Sequence, residues 1–216
     1  MDAAIEAAVE LLGHSQSKKR VSGAKRLRKA ADPAAGPALL EALQREVRDV
    51  RTWSAQYHMI AALGYCGHTP ALPFLEELVA KEHDATILYY ALGDAIFRLV
   101  LADSDVDGAL EHVYAYGRPG AIYGAFRGLG MLRLTPSDEG IRKVFRVAAN
   151  PAAIKATEGY PGDRTGNRLW AVIASTGWPE DLKRAFLDDC ARIADHHLRS
   201  CVDDARAGKW RNRDPY

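Results

Sequence analysis

Cys190, His197 and Cys201 are the residues best suited to chemistry in this chain, two thiols and an imidazole at i, i+7 and i+11. Carried on one helix they would share a face, and the chemistry open to them there is thiolate catalysis or metal binding. Residues seven apart on a helix are about 10 Å apart along its axis, too far to share one ion without a further ligand. The same spacing is what a buried apolar stripe requires, and a core stripe is the preferred reading. With Cys66 the cysteines number three, and on one helix Cys190 and Cys201 would be too far apart for a disulfide, so reduced, buried thiols are expected. No Cys-x-x-Cys pair, His-Glu-x-x-His, phosphate loop or Gly-x-Ser-x-Gly elbow occurs. Gly128 and Gly130 form a lone Gly-x-Gly inside a helical pattern, which reads as close helix packing. No catalytic residue, metal or cofactor is therefore assigned.

The elements that would position any site are helices. Ala, Leu, Glu, Arg and Lys dominate, and alternating Val/Ile/Thr strand patterns with hairpin signals are missing. Residues 49 to 79 describe two antiparallel helices. Val50, Ala55, Ala61, Ala62 and Leu63 would let the first helix approach its partner, with Gly64 and Gly67 at its left-handed end. Thr69 would cap the second helix with Pro70 at its first position, and Leu72, Leu75, Leu78 and Val79 form its stripe. One such pair cannot bury its own faces, so it must stack on neighbours.

Asp49, Val50, Arg51, Leu63, Gly64, Leu72, Pro73 and Leu75 resemble a HEAT or HEAT-like repeat of the phycocyanobilin-lyase type. Upstream, Val21, Ala24, Leu27 and Ala31 with the segment Asp32 to Leu43 fit a preceding pair. Downstream, Ala91 to Gly93 with Ser104 to Asp107 suggest a third. Ala125 to Gly130, then Thr135 to Asp138 leading to Val144 and Ala148, suggest a fourth, and Leu169 to Thr176 with Leu182, Phe186 and Cys190 a fifth. The resemblance implies an all-α fold, a right-handed α-solenoid (ARM-type superhelix) of about five antiparallel helix pairs at a spacing of about 35 residues. No linker or shift in composition divides residues 1–216, so a single domain is expected.

Lys and Arg (29) nearly balance Asp and Glu (28), which does not indicate a strongly basic nucleic-acid domain. The N-terminal stretch carries acids where a signal peptide needs positive charge, and no apolar run approaches the roughly 20 residues of a membrane span. A soluble cytoplasmic protein without membrane contact is expected. In HEAT-like arrays the second helices line the concave side. With the stripes turned inward, those helices present Glu41, Arg45, Arg48, Glu77, Lys81, Glu111, His112, Lys143 and Arg146, a groove of alternating sign. Such a surface suits a folded protein better than a polyanion. The Gly-rich segment from Glu158 to Arg168 would form a rim, with Tyr160, Asp163 and Arg164 as interface residues.

Two basic features stand apart. Lys18, Lys19, Arg20, Lys25, Arg26, Arg28 and Lys29 occur with no acid among them, and no aromatic interleaves, so a solvated outer face is the preferred reading. The tail Lys209-Trp210-Arg211-Asn212-Arg213 is expected to cap the last helices. The leading expectation is a non-enzymatic protein-binding module: an adaptor, a scaffold or an immunity-type inhibitor. The alternative implied by the resemblance is a HEAT-like DNA-binding protein or alkylated-base DNA glycosylase, for which Trp170, Trp178 and Asp163 are the available pieces. A lyase-like role on a tetrapyrrole is a third, which no residue requires.

Overall fold

A computed structural model describes residues 2–83, 85–151 and 165–211. Among them are twelve α-helices and no strand. No helix of the described residues is long and apolar enough to cross a membrane. The expected all-α class therefore holds. The chain divides into two compact units, Met1–Ala125 and Phe126–Tyr216.

The first unit contains α1 (Ala3–Leu12), α2 (Ser17–Ala30), α3 (Gly36–Glu46), α4 (Trp53–Tyr65), α5 (Leu72–Ala80), α6 (Ile87–Val100), α7 (Val106–Tyr114) and the first half of α8 (Pro119–Met131). Short polar side chains set several of the starts by accepting backbone N–H groups that a helix leaves unsatisfied. Asp2 Oδ1 accepts from Ala4 N, and Asp105 Oδ1 from Gly108 N at 2.7 Å. Inner helices follow one another: α2 packs on α1 and α4, and α4 packs on α6. Helix α3 lies against α4, while α5 and α7 lie against α6.

Contact between the inner helices runs through residues with little or no side chain. A Cβ on Gly64 of α4 would lie 2.6 Å from Ala95 Cα of α6. On Gly93 of α6 it would overlap the Ala121 backbone of α8, and on Gly124 of α8 the carbonyl of Tyr90. Such approach is open only to glycine. Residues 55–64 of α4 are buried on every side, as are residues 121–130 of α8.

The second unit holds the rest of α8, α9 (Asp138–Ala148), α10 (Arg168–Ala174), α11 (Glu180–Ala191) and α12 (His196–Arg206). Ser137 Oγ accepts from Gly140 N and starts α9 as the sequence predicts. Helix α10 packs on α9 and α12, and α11 on α12 and α9. Phe145, Phe186 and Trp178 form its aromatic core, with Phe145 and Phe186 stacked at 4.2 Å. The tail docks back, as expected: Arg211 Nε reaches Asp204 at 2.6 Å, and Arg133 lies over the Trp210 ring.

Four local expectations need correction. Val50 lies in a 3-10 turn, Val50–Thr52, and is exposed, because Asp49 caps that turn through Arg51 N and delays α4 to Trp53. Gly64 is inside α4, where close packing rather than a left-handed end requires it; Gly67, at φ 64°, does turn the chain. Thr69 is not a cap, since Thr69–Ala71 forms a 3-10 turn and α5 starts at Leu72 with Pro73 in its first turn. Cys190 and Cys201 sit on separate helices, α11 and α12, broken between Arg192 and Asp195, where Asp195 Oδ1 caps the new helix through Leu198 N.

These contacts set the signs of two substitutions. Gly→Ala inside a helix ordinarily gains up to about 1 kcal/mol. Gly124→Ala is expected instead to lose about 1 to 3 kcal/mol by forcing α8 away from α6, and Leu75→Ala, fully buried, to lose about 2 to 5 kcal/mol. Urea denaturation midpoints measure both; a stabilised Gly124→Ala would show that the two helices have room to spare.

Candidate functional site

In the first unit, the turn after α1, the side of α2 and the end of α3 enclose a cleft of about 310 Å³. Leu12, Gly13, His14, Ser15, Arg20, Ala42, Arg45, Glu46, Asp49 and Thr52 line it. Its floor is a two-pronged ion pair: Arg20 Nε donates to Glu46 Oε2 at 2.7 Å and Nη2 to Glu46 Oε1 at 2.8 Å. Arg20 Nη1 donates to the carbonyls of His14 and Ser15, both at 2.8 Å, so one guanidinium ties the α1–α2 turn to α3. The Glu46 hydrogen bond raises the Arg20 pKa further, against a smaller lowering by burial. Thr52 Oγ1 and Gln56 Nε2 donate to the carbonyls of Glu46 and Asp49, closing the end of α3 with side chains from the start of α4.

The remaining charges of the cleft are also engaged. Asp49 Oδ1 accepts from Arg51 Nε and Oδ2 from Arg51 Nη2, both at 2.8 Å. Those bonds, with a further one from Arg51 N, hold its carboxyl down to about 2. Arg45 is paired with Glu41 one turn earlier. His14 Nδ1 accepts from Gln16 N at 3.0 Å, so the neutral ring carries its proton on Nε2 and has no free lone pair to act as a base. The carboxylates of Glu46 and Asp49 are thus paired, and His14 Nδ1 is occupied.

Beside it stand the exposed groups. Val50 is 70 % exposed and Trp53 44 % exposed, two of the few large apolar side chains that face solvent. Arg48, on the same corner, is exposed and has no ion-pair partner among the described residues.

The sequence-predicted residues divide as follows. Arg45 lines the cleft and Arg48 flanks it. Glu77 and Lys81 are exposed at the end of α5, and Glu111 on α7. His112 does not point free into solvent: its Nε2 meets Glu76 Oε1 at 2.7 Å and Tyr116 Oη at 3.2 Å, joining α7 to α5. In the second unit Arg146 pairs with Glu139 at 2.9 Å, and Lys143 is half-buried. Tyr160, Asp163 and Arg164 lie outside the described residues.

Sequence reasoning passed over a second polar group in the first unit. Asp94 on α6 is 1 % exposed; its Oδ1 accepts from Arg98 Nε at 2.7 Å, and the Arg98 guanidinium lies 4.1 Å over the Tyr65 ring of α4. Tyr90, four residues before Asp94, stacks on Tyr123 of α8 at 4.3 Å. The available signal was a lone acid in an apolar helix with an arginine four residues on. Burial seals this carboxylate from solvent. In the second unit Asn167 and the Trp170 indole nitrogen are buried with no hydrogen-bond partner among the described residues.

The thiol–imidazole site does not assemble. Cys190 and Cys201 are buried and His197 is exposed, and no group of three metal-ligating side chains occurs among the described residues. Chiefly by penalising the thiolate, burial pushes Cys66 and Cys201 up to about 11 and Cys190 up to about 12. No known protein family, curated protein or solved structure matches this chain.

The raised thiol values carry a pH dependence. The folded state holds these protons more tightly than the unfolded chain, whose thiols ionise near about 8.5. Their contribution is complete below about pH 8 and is lost as pH rises through about 11 to 12. At pH 8 the native protein is expected to react with a thiol reagent only as fast as it opens. Rapid labelling of all three cysteines without denaturant would show that the thiols are accessible.

Proposed function

We propose that this chain is a non-enzymatic protein-binding module, an adaptor, scaffold or immunity-type inhibitor, built from HEAT-like helix pairs stacked as a right-handed solenoid. One observation carries the docking assignment: Val50 and Trp53 face solvent together at the α3–α4 corner, next to Arg48 and the cleft that Arg45 lines. Exposing a tryptophan and a valine costs solvation that an isolated helix start has no need to incur. Tryptophan and arginine are also the residue types that most often dominate binding energy. The paired charges around them make a polar rim of fixed geometry, which favours association with a folded protein of complementary sign pattern.

Stacking of α2, α4 and α6 with α3, α5 and α7 alongside supports the helical-repeat reading. Three buried thiols suit a reducing compartment such as the cytoplasm. The glycosylase alternative has less behind it. Trp170 and Trp178 are core side chains, Trp178 Nε1 donating to Leu134 O at 2.9 Å, and neither indole is offered to a base.

The test is affinity capture from the native host with wild type, Trp53→Ala and Arg48→Glu, followed by rate measurements on the purified partner. Trp53→Ala is expected to speed dissociation and to cost about 2 kcal/mol or more. Arg48→Glu is expected to slow association, with a weaker salt dependence. A partner held equally well by both variants would place the contact elsewhere. Release of an alkylated base from duplex DNA would replace the binding reading with the enzyme.

A further inference from the structure

Helix α2 carries charge of one sign only. Its fourteen residues include Lys18, Lys19, Arg20, Lys25, Arg26, Arg28 and Lys29 and no acid. Arg20 is used by Glu46, and Arg28 lies 5.7 Å from the Tyr65 ring. The other five, Lys18, Lys19, Lys25, Arg26 and Lys29, are exposed, and none has an ion-pair partner among the described residues. At 100° per residue they fall within an arc of about 120°, opposite the buried Gly23, Ala24 and Leu27, and span about 16 Å along the helix. Exposed acids on the neighbouring α1, Glu6 and Glu10, form no ion pair with them among the described residues.

A second observation concerns the start of the helix, where positive charge is not what helix stability favours, although Lys29 in the last turn is favourably placed. Lys18, Lys19 and Arg20 occupy the first turn, and Gln16 at the N-cap makes no side-chain bond to it. With Arg20 paired to Glu46, the positive end of the helix dipole faces two like charges, Lys18 and Lys19, each unfavourable by about 0.3 to 1 kcal/mol.

We propose that this face of α2 binds the phosphate backbone of a nucleic-acid duplex without reading its sequence. The exposed arc carries Ser22 but no aromatic or large aliphatic residue. It lacks the apolar anchors that a protein interface or a membrane surface would use, and the stacking platforms that a single strand would use. Closely spaced cations alone match a regular row of phosphates, where binding draws its strength from released counterions. The basic face is carried by α2 and Trp53 by α4, so a duplex and a protein partner can be held by different elements of the same unit.

The experiment is fluorescence anisotropy of labelled DNA and RNA duplexes of mixed sequence across a salt series. Wild type is compared with Lys18→Ala/Lys25→Ala/Lys29→Ala, and circular dichroism checks that the helices remain. The triple variant is expected to lose at least about tenfold in affinity, and the slope of log K against log salt to fall by about 2 to 3. Trp53→Ala is expected to bind as wild type. Failure of wild type to bind either duplex at low salt would overturn the proposal, as would a triple variant with unchanged affinity and slope. Lysine-dependent binding to phosphatidylserine vesicles in place of duplex would assign the face to membranes instead.

Discussion

Backbone-to-backbone approach between inner helices is the constraint on which the first unit depends. Gly64 against Ala95, Gly93 against Ala121 and Gly124 against Tyr90 leave no space for even a methyl group. Helices held this close interlock, which is why α4 is buried all round from Ala55 to Gly64 although it is bordered by other helices rather than by a sheet. Where α3, α5 and α7 cover the row, Leu39, Leu43, Leu75, Leu78 and Leu110 meet the large buried side chains of the inner helices, Met59, Ile60 and Leu63 of α4 and Leu92, Ile96 and Phe97 of α6 among them. The spacing also decides which polar groups can enter the interior. Asp94 is tolerated because Arg98, one turn along, reaches its oxygen and rests on Tyr65.

Much of this was legible in the sequence. Small residues at Ala55, Ala61 and Ala62, the Leu75–Leu78–Val79 stripe and the Ser137 cap identify helices and their inward faces, because burial and capping leave periodic signals. The irregular starts were not. Asp49 and Val50 have residue types that suit a helix opening, but the Asp49 carboxylate captures Arg51 N and makes a tight turn first. That single local bond turns Val50 outward. Position in a repeat does not encode which of two hydrogen-bonding schemes prevails at its edge.

The candidate site was legible only in part. Arg45 and Arg48 were found because a charge on the polar face of an amphipathic helix is visible by periodicity. Trp53 was not, since a tryptophan in a helical pattern suggests the core and its exposure depends on where α4 begins. The Arg20–Glu46 pair joins residues far apart in sequence, and no spacing rule reports such a partnership. Cys190 and Cys201 show the converse: a regular interval suggested one face, but Asp195 stops one helix and starts another between them.

Within the first unit the major contacts join helices that follow closely along the chain, α1 with α2 and α3, α2 with α4, α4 with α6, and α6 with α7. Loop closure for each step therefore involves only a few tens of residues, and its entropic cost rises just slowly with length. Topology of this kind has low contact order, which favours rapid folding. It also suits synthesis from the N-terminus, since α4 can seat on α2 before α6 has been made. On docking, α6 covers Gly64 of α4 and presents Gly93 to α8.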